Sequence, residues 1–173
     1  MRYLIFNLGN KTLALPGDRV IEIVRLLLLG PSPGKAYMGS VSWHDKTLAV
    51  LEPGKLGIRE ASPGFAIVTY IRGVPVGFPA DRATGFLEID ELDEAPPGSD
   101  EWLAGVIGQQ RVWAIEPDRV ITLTETGEAA RLIGEDEFLI FCAKALSEIS
   151  ERRKSKELER AAKALSRELE KEK

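Results

Sequence analysis

One histidine and one cysteine, His44 and Cys142, stand among 173 residues, and they limit the chemistry open to the chain. One cysteine cannot close an internal disulfide, and one Cys with one His cannot assemble a tetrahedral zinc site. Any imidazole general base must be His44, which has Asp45 beside it but no serine or cysteine placed as its nucleophile. An exposed turn histidine, or a partner contact, fits it better. Cys142 falls in an apolar stretch and reads as a small hydrophobe. Gly30-Pro-Ser-Pro-Gly-Lys35 glances at a phosphate-binding loop. It has one residue too few between its glycines, two prolines without an N–H, and Ala36 where a hydroxyl should hold magnesium. Glu52 and Glu116 could be cast as an acid/base pair, yet each precedes a proline at the end of a predicted strand, as a structural role would have it. The acidic segment Asp90 to Glu101 lacks the alternating ligands and central glycine of a calcium loop. These residues leave little equipment for metal or nucleophilic chemistry, and no cofactor or metal is expected; a hydrolytic role for Glu52, Glu116 and His44 stays open as a rival.

The charge narrows the partners. Lys plus Arg is 23 against 27 for Asp plus Glu, a net charge of −4. That offers no global field for nucleic acid or anionic lipid. No apolar run approaches a membrane span, so direct membrane insertion is not expected. Tyr3 to Phe6 stops at Asn7 without a small-residue cleavage pattern, so a cytoplasmic, reduced setting is expected.

The elements that must position any functional residues come from an internal repeat. Tyr3 to Arg19 has a counterpart in Ala66 to Arg82: Pro16 aligns with Pro79, 63 positions on, and Asp18-Arg19 falls on Asp81-Arg82. Leu48 to Pro53 matches Val112 to Pro117, with Glu52 falling on Glu116. Two matches at nearly one offset divide the chain into halves of about 60 residues, a size that is marginal alone. Each half reads as β. Hairpin turns are expected at Gly9-Asn10, Trp43 to Lys46, Arg72-Gly73 and Gly108-Gln109-Gln110, and a short helical turn is expected near Val20. Pro53 and Pro117 end strands. The expected architecture is mainly β: two tandem five-stranded barrels, the first over about residues 1–62 and the second over about 63–134, followed by a helical segment over 135–173. The duplicated Asp-Arg pairs are expected to bond locally.

Glu135-Asp136-Glu137 marks the start of the last segment, where acidic residues suit a helix N-terminus. Phe138 to Phe141 begins an apolar stripe that could dock on the barrels, and Leu146 and Ile149 continue it. A second amphipathic stretch, Leu158, Ala162, Leu165 and Leu169, follows the polar run Glu151 to Lys156. Earlier in the chain, Leu26 to Leu29 runs into a loop. With Ile23, Val24, Phe86 and Leu87 it could line an apolar groove where the halves meet.

The order of these blocks over about residues 3–121 resembles CheW-type chemotaxis coupling proteins. Tyr3 to Gly9 with Leu13 to Pro16 is similar to that family's first hairpin, and Gly39 to Glu52 to its Gly-Val-Ile-Asn-Leu-Arg-Gly hairpin and following strand. Val76 to Arg82 through Gly85 to Ile89 resembles its Gly-Leu-Val-Asp-Arg-Val block, and Ala104 to Ile107 with Val112 to Pro117 its last hairpin. The resemblance implies two SH3-like five-stranded barrels and a non-enzymatic adaptor. Such an adaptor links the cytoplasmic tip of a chemoreceptor (a methyl-accepting chemotaxis protein) to the regulatory domain of a CheA-type histidine kinase. It places Val20, Ile23 and Val24, with Ala83, Phe86 and Leu87, in a receptor-binding groove. Gly39, Trp43, His44 and Asp45 become a partner-contact hairpin. There, Ser42-Trp43-His44-Asp45 replaces Asn-Leu-Arg-Gly: an imidazole cannot reproduce a bidentate guanidinium contact, and Trp43 adds an aromatic anchor. A divergent scaffold of another pathway is the alternative, with its C-terminal helix mediating self-association or holding a different partner.

Overall fold

The computed structural model describes residues 1–108 and 111–171. Gln109 and Gln110, expected in the last hairpin turn, lie outside the described residues. Two compact units divide the chain, Met1–Phe138 and Leu139–Lys173.

The first unit carries ten strands: β1 (Arg2–Leu8), β2 (Lys11–Pro16), β3 (Val20–Arg25), β4 (Tyr37–Trp43), β5 (Lys46–Leu51), β6 (Phe65–Ile71), β7 (Val74–Ala80), β8 (Arg82–Glu88), β9 (Leu103–Ile107) and β10 (Val112–Ile115). Three of the expected hairpin turns sit where the sequence places them. Gly9 opens the β1–β2 turn at φ +59°, and Arg72-Gly73 links β6 to β7 with both residues at positive φ. His44-Asp45 does the same between β4 and β5, at φ +45° and +60°. Two consecutive residues at positive φ are the mark of the type I′ turn, whose twist matches that of the flanking strands. Short 3₁₀ turns at Gly17–Arg19, Pro53–Leu56 and Pro117–Arg119 end β2, β5 and β10. The helical turn expected near Val20 lies just before it, at Gly17–Arg19, and Val20 already begins β3.

The strands form two five-stranded sheets, ordered β8-β1-β2-β10-β9 and β3-β6-β7-β5-β4. This corrects the expected boundaries at 1–62 and 63–134. The repeat is real strand by strand, since β1, β2 and β3 correspond to β6, β7 and β8, and β4 and β5 to β9 and β10. The halves, however, exchange hairpins. The β1–β2 hairpin lies between β8 and β10 of the other half, and the β6–β7 hairpin lies between β3 and β5. One sheet is therefore continuous in sequence from β3 to β7, and the other is split around it. A half of about 60 residues cannot bury enough of its own apolar surface, and exchange lets each hairpin complete the other's core. Parallel pairing of β2 with β10 and of β5 with β7 marks the crossing points.

Matching bridges draw each sheet round. The residue 63 positions after Gly30 is Asp93, and the two bridges are Gly30 with Ser40 and Asp93 with Val106. Each joins the chain just after an edge strand, β3 or β8, to the strand at the opposite edge. Each also needs a glycine. A Cβ on Gly39 would lie 3.0 Å from the Gly30 carbonyl, and one on Gly105 would lie 2.7 Å from that of Asp93.

The core is filled by Leu4, Phe6, Leu13 and Leu15 of the first hairpin and by Ile67, Val76 and Phe78 of the second, all fully buried. Leu48 to Leu51 of β5 is buried on both faces because α1 (Leu123–Ile133) packs on β5 and β7. The Thr122 hydroxyl accepts from the Glu125 amide at 3.1 Å, and the Thr122 amide donates to Glu125 Oε1 at 2.9 Å. Those reciprocal bonds satisfy two otherwise free donors at the helix start.

α2 runs unbroken from Glu135 to Lys171, 37 residues. Two stretches were expected on either side of Glu151 to Lys156. A polar run interrupts a stripe but not a backbone, and Glu, Arg and Lys are good helix formers.

Candidate binding surfaces

The predicted groove residues lie on two edge strands at equivalent places in the two sheets. Val20, Ile23 and Val24 are on β3, which pairs only with β6. Ala83, Phe86 and Leu87 are on β8, which pairs only with β1. On β3, half-buried and exposed positions alternate, and Ile23 keeps 42% of its surface exposed, with Ile21 beside it at 37%. β8 is exposed along nearly its whole length. A bulge opposite Ile5/Phe6 offsets its register, Gly85 takes φ +136°, and Phe86 and Leu87 are each 47% exposed. The Arg2 guanidinium sits 4.1 Å from the Phe86 ring centre. Beyond β3, Leu27 and Leu28 are almost wholly exposed. A surface that leaves this many large apolar side chains on two strand edges has the composition of a binding face.

The predicted contact hairpin divides. Trp43 is half-buried, and His44 and Asp45 are exposed at its tip. Gly39 is a correction: it is buried beneath Gly30 and Leu29, where its missing side chain permits the closing bridge and offers nothing to a partner.

Sequence reasoning missed what anchors the tip. Glu22 Oε2 of β3 accepts from Trp43 Nε1 at 2.7 Å and lies 2.8 Å from His44 Nε2. The indole N–H, then the imidazole, hold the Glu22 carboxyl below its usual range. On the other flank, Lys46 Nζ donates to Glu137 Oε1 at 2.7 Å. The hairpin is thus tied both to the apolar strand β3 and to the first turn of α2. The signal available in the sequence was the polar Glu22 among Val20, Ile21, Ile23 and Val24, which needs a partner if a binding strand is to carry it.

The duplicated Asp-Arg pairs do not bond locally. Arg19 reaches Asp118 through both terminal nitrogens, at 2.9 and 3.0 Å, and the Arg72 amide donates to the same carboxylate at 2.8 Å. The Arg19 guanidinium holds Asp118 below the ordinary carboxylate range. Asp81 instead accepts from the Gly9 amide at 2.8 Å. All these contacts run between the exchanged parts of the repeat, which is why neighbours in sequence gave no hint of them.

The other candidates for chemistry are dispersed. Glu52 and Glu116 each precede the 3₁₀ turn that ends a strand, one in each sheet, with no side-chain cap bond. Cys142 is half-buried. Among the described residues, no group of three His, Cys, Asp or Glu could hold a metal ion, and no helix is long and apolar enough to cross a membrane.

Comparisons with known proteins agree with this geometry. The family model described as the CheW-like domain matches residues 2–125. The crystal structure of the scaffolding protein TtCheW from Thermoanaerobacter tengcongensis is similar in fold, with a TM-score of 0.58 at 19% identity. The match covers 66% of this chain and 86% of that one. No curated protein matches the chain.

Proposed function

Because the chain belongs to the CheW-like domain family, whose fold is a pair of SH3-like barrels, we propose that this chemotaxis-type scaffold couples the cytoplasmic tip of a chemoreceptor to the regulatory domain of a CheA-type histidine kinase. It acts by binding and not by catalysis, in the cytoplasm. The observation that carries the reading is the pair of equivalent, exposed apolar edges, β3 and β8. A helical receptor tip lies along them, covered by Val20, Ile23 and Val24 from one sheet and Ala83, Phe86 and Leu87 from the other. Full burial of a large apolar side chain is worth about 1.5–3 kcal/mol, and each of these, already half-buried, contributes about half of that or less before the cost of association. Single-site binding is then modest and is tightened by repetition in an array.

The tip of the β4–β5 hairpin supplies specificity. Trp43 is held in place by Glu22, and a pre-positioned aromatic loses little freedom on binding. His44 and Asp45 stand exposed beside it and select a partner different from one that expects arginine.

The test is a bridging assay with a receptor signalling fragment, the kinase regulatory domain and this chain. The three co-elute only when the chain is present, and Ile23→Asp removes the receptor fragment while leaving the kinase domain bound. Co-elution of receptor and kinase regardless of the chain would overturn the reading.

A further inference from the structure

The unbroken course of α2 places two different faces on its second-unit portion. Ile149 and Leu158 are nine residues apart, about two and a half turns at 3.6 residues per turn. The stripe Leu158, Ala162, Leu165, Leu169 is therefore on the side opposite Ile149 and does not continue the earlier one. What continues the earlier one is charge. Leu139, Cys142, Leu146 and Ile149 are spaced by three, four and three, and the same alternation runs on through Arg153, Lys156, Arg160, Lys163 and Arg167. Leu139, Leu146 and Ile149 are exposed, as are all five cations. Among the described residues none of the five is engaged in an ion pair. Glu157 and Glu159 flank the row and do not interrupt it.

A spacing of three and four repeated over four heptads is that of a coiled-coil seam, apolar here only over residues 139–149. Its two halves have opposite requirements. In a parallel pair with a second copy, five cations would face five cations. In an antiparallel pair, apolar side chains would face cations. The first repels and the second sets unpaired charge against apolar surface, so the seam in register selects against self-pairing. The five cations recur every 3.5 residues on average, about 5.3 Å, close to the pitch of a helix. Carboxylates at the same spacing on a neighbouring helix meet them one for one over about 21 Å.

We infer that this face of α2 is a docking surface for a different helical protein segment, one whose own three-four repeat is apolar opposite residues 139–149 and acidic opposite residues 153–167. The inference goes beyond the apolar edges and the β4–β5 hairpin, which belong to the first unit, and it stands or falls independently of them.

A labelled synthetic helix tests it, carrying leucines opposite the apolar part and glutamates opposite the basic part, titrated by anisotropy into the full chain. Binding is expected, and it should weaken about tenfold or more between low salt and a Debye length of a few ångströms. The double variant Arg160→Glu/Lys163→Glu stays helical, because glutamate is a good helix former. It should lose the glutamate peptide by about tenfold or more and bind a companion peptide with lysines at the matching positions. Any one of four results would overturn the inference. The peptide does not bind; a glutamate peptide with its three-four spacing scrambled binds as well; anionic phosphatidylserine vesicles or heparin compete while that spacing makes no difference; or the full chain self-associates and the double variant abolishes it.

Discussion

Ile23→Asp is the sharpest probe of the apolar edges. Ile23 has 42% of its surface exposed on an edge strand, so a partner that covers it removes a little under half of the side chain from water. Full burial of such a side chain is worth about 1.5–3 kcal/mol, which makes the remaining share about 0.6–1.3 kcal/mol. Ile23→Ala should then weaken receptor-tip binding about three- to ninefold. The aspartate adds the cost of desolvating a carboxylate without a partner, about 1–3 kcal/mol or more. The total of about 2–4 kcal/mol is a loss of about 30- to 1,000-fold. The free protein loses little, since the exposed half of the side chain makes no core contacts and β3 remains paired to β6. The assay is a titration of receptor fragment into both variants, with thermal unfolding of each alongside. Wild-type affinity in an Ile23→Asp protein of unchanged melting temperature would refute the assignment of β3 to the interface.

Three further outcomes follow from the geometry. Gly39→Ala and Gly105→Ala should each destabilise the first unit by about 1–3 kcal/mol, because the new methyl meets a bridge carbonyl at 3.0 or 2.7 Å; chemical denaturation would show it, and neutrality at both sites would remove the glycine account of closure. Asp118→Ala removes two charge-assisted bonds from Arg19 and one from the Arg72 amide. At a site about one-third exposed, the loss should be about 2 kcal/mol, a fall of about 5–10 °C in Tm. The Glu22 carboxyl is depressed by Trp43 and then His44, so its anchoring is present above the ordinary value of 4.5 and is lost as pH falls through the lowered value. In a His44→Gln background, which removes the neighbouring imidazole from the same carboxylate oxygen, the Trp43 indole N–H resonance should hold steady above pH 4.5 and move only below it, and a resonance that moved between pH 7 and 5 there would contradict the assignment.

The paired strands of the hairpins were legible in the sequence because their signals are local, whereas the segment from Val20, where a short helical turn was expected, is already the strand β3. Gly9-Asn10, His44-Asp45 and Arg72-Gly73 announce tight turns, and Pro53 and Pro117 announce strand ends. The repeat itself was legible, down to the pairing of Glu52 with Glu116. The hairpin exchange was not, since a repeat says which segments are alike and nothing about which copy each one pairs with. That choice is made by the burial of Phe6, Leu13, Ile67 and Phe78 across the two sheets, a property of the assembled core. α1 was signalled by Thr122 and Glu125 three residues apart, a capping box that the strand pattern overshadowed. On the surfaces, the exposed apolar residues of β3 and β8 could be read from their clustering. The Glu22 anchor and the Asp118 hub join residues 21 to 99 positions apart, and no local pattern carries such a pairing. Gly39 was misjudged for a related reason: its value lies in the side chain it lacks, opposite a carbonyl that only the closed sheet brings near.

The proposed function requires one chain to hold a receptor and a CheA-type kinase at once. Calorimetric titration of the full chain with the regulatory domain of such a kinase from the same cell tests it most directly, first alone and then with receptor fragment bound. The account predicts one-to-one binding at micromolar affinity or tighter, retained when the receptor site is occupied. Absence of heat at high concentration, or receptor and kinase domain competing for one surface, would contradict it.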